Sequence, residues 1–178
     1  LSEAGASLAD VTDLAINQDS RANNWKRIEY LMRSRPSMSM VLDRLQTRKK
    51  RENATQLLET IYPGQSFKGQ NHAVEHHLAH LSAAFHVSPF AEAVAISVDG
   101  FGDFASAGWG LGRGSVVEVE DRVYFPHSLG IFYQALTQFL GFPNYGDEDK
   151  VMGLAPYGEP VFLPQLRQVV RLREGSGF

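Results

Sequence analysis

Apolar and polar positions recur with a readable period along most of this chain. Asp13-Leu14-Ala15-Ile16-Asn17 is a short apolar run, entered through Asp10-Val11-Thr12 and closed by turn-forming residues, and it predicts a strand. Residues 21–60 are polar and helix-prone, and Tyr62-Pro63-Gly64-Gln65 marks a turn. A helix is expected from Asn71, a good N-cap, to His86, stopped ahead of Ser88-Pro89. Val74, Leu78, Leu81 and Phe85 recur at helical spacing as its buried stripe. Ala93-Val94-Ala95-Ile96-Ser97-Val98 is almost wholly apolar, as a strand covered on both faces would be. Two further strands, Ala105 to Gly112 and Val116 to Phe125, are predicted to form a hairpin through Arg113-Gly114-Ser115. Ser128 to Leu140 reads as a helix capped by Ser128 and ended by Gly141, and Val161 to Arg173 as a last helix. Strands alternating with helices predict an α/β domain, without internal repeats.

Composition narrows the classes. The 178 residues suffice for one domain or a large part of a bigger one. With 43% hydrophobic and 21% charged residues the chain has the make-up of an ordinary globular protein. A formal net charge of −3 argues against general nucleic-acid binding, which needs a basic excess. The absence of cysteine removes disulfides, thiolate metal sites and a cysteine nucleophile. No stretch approaches the roughly 18 apolar residues of a membrane helix, and no signal segment opens the chain, so a cytoplasmic protein without membrane partners is expected. The basic run Arg48-Lys49-Lys50-Arg51 reads as a solvated helix face, with a patch for an anionic substrate as the sharper alternative. Leu1 stands where a start methionine would, and Leu1 to Ala6 reads as the end of a helix. The chain is therefore expected to be an internal piece of a longer protein.

Three segments carry candidate chemistry. Five of the six histidines fall between His72 and His86. At about 100° per residue, His76 and His80 share one helix face, with His72 on the same ridge and His77 rotated toward the apolar side. Two neutral imidazoles one turn apart can grip one ion, although a solvated polar face has the same spacing. The metalloprotease pattern fails for want of its glutamate. The second segment is Asp99-Gly100-Phe101-Gly102-Asp103 at a strand end, where open α/β sheets gather ligands. An aspartate there can hold a metal, and glycines admit a phosphate; a bend with tight strand packing would look the same. The third, Asn144 to Gly158, gathers three acids, Lys150 and several glycines, and suits either a nucleotide or a helix start with acids in its first turn.

Taken in order, His76-His77-Leu78-Ala79-His80-Leu81-Ser82-Ala83-Ala84-Phe85, Ser88-Pro89-Phe90, Val98-Asp99-Gly100, Phe125-Pro126-His127-Ser128-Leu129-Gly130-Ile131-Phe132-Tyr133 and Asp149-Lys150-Val151-Met152-Gly153-Leu154-Ala155-Pro156-Tyr157-Gly158 resemble the N-terminal domain of NodU/CmcH-type carbamoyltransferases. The resemblance spans residues 70–160 most closely. It implies an actin-like ATPase fold, with a mixed sheet flanked by helices. It also implies that residues 1–178 are an internal fragment of that domain, with the adenylate-forming C-terminal domain absent. It implies metal ligation by His76, His80 and Asp99, with a divalent ion, iron or alternatively zinc. It implies that Gly100, Gly102 and Asp103, together with Asp149, Lys150 and Gly153, hold the adenylate. The activity implied is transfer of a carbamoyl group from carbamoyl phosphate, through an ATP-derived carbamoyl-adenylate, to the hydroxyl of a sugar, antibiotic precursor or glycolipid. No residue is singled out as a general base.

Three other readings remain at this stage. A sugar-kinase-like phosphotransferase of the same fold would not need the histidine pair. A degenerate domain could bind nucleotide or a partner without chemistry. A simple metal-dependent hydrolase would leave the motifs after residue 98 unexplained.

Overall fold

A computed structural model describes residues 1–34 and 54–172. The basic run at residues 48–51 lies outside them. The chain forms two compact units, Leu1–Glu75 and a second from His76 onward.

The first unit joins β1 (Asp13–Ile16) in parallel to β2 (Gln70–Ala73), with Asp13 opposite Gln70 and Ile16 opposite Ala73. Helices α1 (Asn24–Ser34) and α2 (Ala54–Ile61) lie between them in sequence. Gly69 leads into β2 so close to β1 that a Cβ there would sit 2.2 Å from the Thr12 carbonyl oxygen. The turn at Tyr62–Gln65 is present: Gly64 takes φ +82 and the Gln65 N–H donates to the Tyr62 carbonyl, the type II geometry that a Pro-Gly pair favours.

The second unit is built on an antiparallel sheet in the order β3 (Glu92–Gly102), β4 (Ala105–Arg113), β5 (Val116–Tyr124). Gly114, at φ +58, makes the tight β4–β5 connection, where the sequence predicts it. Helix α3 (His76–His86) covers one face, with His77, Leu81 and Phe85 buried and Ala95 completing the core. Glycines let this helix approach. A Cβ on Gly112 would lie 2.4 Å from the Phe85 ring, and one on Gly108 would press on His77 at 3.2 Å. Helix α4 (Leu129–Phe139) follows, capped by the Ser128 hydroxyl accepting from Ile131 N–H, with Gly141 at φ +94 beyond its end. Two short helices, α5 (Glu148–Leu154) and α6 (Leu163–Val169), complete the described chain. The fold is mixed α/β, with the parallel and antiparallel ladders in separate sheets among the described residues.

Four expectations need correction. The histidine helix begins at His76, not Asn71, because residues 70–73 are drawn into the β1 ladder and Asn71 exchanges side-chain hydrogen bonds with Thr55 instead of capping a helix. His72 therefore leaves the helix ridge; on β2 it lies 2.6 Å from Asp13 Oδ1. The buried stripe is His77-Leu81-Phe85, with Leu78 half-buried and Val74 outside the helix. Strand β3 is covered on one face only among the described residues: Val94, Ile96 and Val98 remain 67%, 69% and 58% exposed. Finally, the last helix is shorter than expected, running Leu163–Val169, and Arg173 lies outside the described residues.

Candidate metal centre

The site forms where the first turn of α3 meets the far end of β3. His76 and His80 are one turn apart on a helix whose opposite side is pinned to the sheet. That pin is specific: buried His77 places Nδ1 2.9 Å from the hydroxyl of Ser97, two residues before Asp99 on β3. With His77 turned inward, the helix period turns His76 and His80 toward the strand end.

Asp99 receives them. His76 Nε2 lies 2.8 Å from Asp99 Oδ2, His80 Nε2 lies 3.5 Å from the same oxygen, and the two Nε2 atoms are 3.1 Å apart. The other carboxylate oxygen, Oδ1, accepts from the Gly100 N–H at 2.6 Å, which fixes the plane of the group. Partial burial pushes the Asp99 carboxyl up. The hydrogen bonds from His76 and the Gly100 N–H, with the charges of His76 and His80, outweigh it and hold the group below its ordinary 3.8.

The donor set fits a divalent ion. Around an ion with ligand bonds of about 2.1 Å, neighbouring ligand atoms stand about 3.0 Å apart in an octahedron and about 3.4 Å apart in a tetrahedron. The observed edges of 2.8, 3.1 and 3.5 Å fall in that range. At most one proton can lie between the two facing nitrogens, so at least one of them presents a lone pair there. Side-chain exposures of 20% for His76, 42% for Asp99 and 47% for His80 leave one side open to further ligands. Zinc and iron both accept this combination of nitrogen and oxygen.

The remaining candidate residues fall into two groups. Gly102 and Asp103 join the centre, but as its frame. A Cβ on Gly102 would lie 2.0 Å from the His76 ring, and Asp103 Oδ2 accepts from the His76 backbone N–H at 3.0 Å. Gly100 is more open: a Cβ there would meet only Ile131, at 3.6 Å, and its carbonyl accepts from the Ser128 hydroxyl at 2.8 Å. Asp149, Lys150 and Gly153 are exposed on α5. The Lys150 ammonium is taken by Asp147, which also accepts from the backbone and side-chain N–H groups of Asn144. The Lys150 ammonium, then the Asn144 N–H, hold the Asp147 carboxyl below its usual value, and Asp147 in turn holds Lys150 above its own. Sequence reasoning missed Asp147 as the organiser of this turn; its signal is an acid three residues before a lysine.

The arrangement defines an α/β domain with a histidine–carboxylate centre at a strand end. Residues 15–173 match the carbamoyltransferase N-terminus family, and the chain belongs to it. The chain is 44% identical over 89 residues to an uncharacterized protein of Synechocystis, covering 50% of this chain and 14% of that protein. Against nodulation protein NolNO of Sinorhizobium fredii it is 45% identical over 89 residues, 49% of this chain and 13% of that one. Against nodulation protein NolO of Bradyrhizobium diazoefficiens the identity is 43% over 108 residues, 59% and 19% respectively. The matched stretch thus spans less than a fifth of each of these relatives.

Proposed function

We propose that this chain supplies the metal-binding part of an O-carbamoyltransferase, which moves a carbamoyl group from carbamoyl phosphate, through an ATP-derived carbamoyl-adenylate, to a substrate hydroxyl. Family membership supports the reaction class. The observation that carries the site is the convergence of His76, His80 and Asp99 at the end of β3. A divalent ion held there, iron or zinc, would polarise carbonyl or phosphate oxygens and stabilise negative charge developing on them.

The chain's own residues set up that environment. Two neutral imidazoles and one carboxylate carry a single negative charge, so a site loaded with a divalent cation keeps one positive charge for an anionic donor. Asp99 is locked by Gly100 N–H and the imidazoles, so the group needs little reorganisation before it binds. Gly100, the more open glycine of the strand-end loop, and the exposed Asp149, Lys150 and Gly153 are the candidates for contact with the adenylate. On this reading the acceptor is a sugar, antibiotic precursor or glycolipid bearing a free hydroxyl, the fold is of the actin-like ATPase kind and the reaction is cytoplasmic.

The test compares the intact protein with its His76→Ala/His80→Ala variant for bound metal and for carbamoyl transfer. Loss of both stoichiometric metal and transfer is expected. A wild-type protein that is active yet free of metal would return the two histidines to a solvated helix face.

A further inference from the structure

The sequence places Asp103 with the nucleotide-binding glycines, but its geometry assigns it another task. The first N–H groups of a helix have no partner within the helix, and a residue just before the helix ordinarily caps them. At α3 one such group is taken from far along the chain: Asp103, 27 positions on, accepts from the His76 N–H at 3.0 Å. Asp103 is 8% exposed and has φ +47; its neighbour Phe104 has φ +72. Together they form the two-residue connection between Gly102 and Ala105, which face each other in the β3–β4 ladder. Left-handed backbone at two successive non-glycine residues is costly, about 1–2 kcal/mol each, and asparagine-glycine would be the ordinary choice for such a turn. The turn that pays this cost aims a carboxylate at the backbone of a metal-site histidine.

Gly102 completes the device. The space where its side chain would lie is filled by the imidazole of His76, whose Cδ2 and Cγ are 2.0 Å from the position of an added Cβ. The same hairpin end therefore holds His76 twice, by its backbone through Asp103 and by its ring through the vacancy at Gly102. Asp99, the third ligand, stands on the same strand three residues before Gly102. The ring and the carboxylate that face each other are thus referenced to one short piece of backbone.

We infer that Asp103 is a positioning residue of the metal centre, fixing His76 against Asp99 through the helix cap, and that it is not a nucleotide ligand. This rests on the metal reading given above. Residues that orient a metal ligand through a hydrogen bond typically change affinity by about 10–100-fold when removed, and Asp103 should fall in that range.

The experiment uses the intact protein, stripped of metal and titrated with Co²⁺, whose visible absorption reports the ligand geometry. Wild type, Asp103→Ala and Asp103→Asn are compared, with melting temperature recorded without metal and ATP affinity measured in parallel. Asp103→Ala is expected to weaken Co²⁺ binding by about 10–100-fold and to alter the spectrum, with ATP affinity unchanged. Asp103→Asn keeps an oxygen that accepts from the His76 N–H and should restore most of the affinity and the wild-type spectrum. If Asp103→Ala binds Co²⁺ as wild type does while ATP binding falls, the positioning role is wrong and the residue serves the nucleotide. If Asp103→Asn fails as badly as Asp103→Ala while remaining folded, the cap explanation is wrong. A wild-type protein that takes up no Co²⁺ would instead sink the metal reading on which this rests.

Discussion

Two acidic clusters of this molecule look alike in sequence and differ in what surrounds the acid. Asp147 is 6% exposed, closer to buried than Asp99, but Lys150 neutralises it and Asn144 fills its other lone pairs. All of that partnership lies within seven consecutive residues. Asp99 faces two imidazole nitrogens from a helix that precedes it by a whole loop, and among the described residues neither Lys nor Arg stands among its hydrogen-bond partners. A third pair, His72 with Asp13 at 2.6 Å, shows that a close histidine and carboxylate are not enough, since among the described residues only two ligand atoms meet there. An acid matched by its own lysine is closed within its turn, whereas Asp99 is held by a backbone N–H and two imidazoles, groups that can turn their nitrogens to a cation.

The contrast can be broken from either side. The largest effect should follow Asp99→Ala. Removing one of three ligands should weaken metal binding by more than the roughly 100-fold at the upper end for an orienting residue, read by titration of the metal-free intact protein. The matched change Asp147→Ala should leave metal affinity unchanged, because sites without shared partners behave independently; a comparable loss there would erase the distinction. Next comes Gly102→Ala. A methyl group forced against the His76 ring should cost about 1–3 kcal/mol of stability and lower metal affinity as well, measured by denaturant unfolding and the same titration. Retention of both would mean that His76 has another place to go.

The smallest effect concerns pH. The Asp147 carboxyl is held below its ordinary 3.8, so its contribution is present above that value and is lost as pH falls through the lower folded one. Lys150 is raised above 10.5, so its contribution is present below 10.5 and is lost as pH rises through its folded value. Asp147→Asn should flatten the acid limb of a melting-temperature profile while leaving the metal titration alone. An acid limb as steep as that of wild type would place the sensitivity in another carboxylate.

Local chemistry was the legible part of this chain. The Pro63-Gly64 turn, the Gly114 hairpin, the Ser128 cap and the Gly141 stop each depend on one or two neighbouring residues, and each stands where the pattern places it. What depends on partners far along the chain was not legible. Asn71 is a good cap by type, yet pairing with β1 takes residues 70–73 into a strand. Asp103, which accepts from the first N–H of that helix, lies beyond an entire strand, so no local window could disclose it. For the centre itself, spacing placed His76 and His80 on one face and the strand-end position made Asp99 a separate candidate, but only the resemblance joined the three. The glycines of β4 and Gly102 read either as a phosphate-binding stretch or as a bend with tight strand packing. Three of them are clearances for particular rings, as the second reading has it: Gly102 for His76, Gly108 for His77 and Gly112 for Phe85.

The three converging atoms hang on two different elements, α3 and β3, that face each other only when the second unit is folded. An ion with no affinity for the open chain would therefore act by mass action on folding itself. At a free concentration one hundred times its dissociation constant it would add about 2.7 kcal/mol to the stability of that unit. Chelation would then do more than silence a reaction: amide hydrogens along β3 and in the first turns of α3 should exchange faster together. Metal supply in the cell would set how much of this protein persists as well as how fast it works.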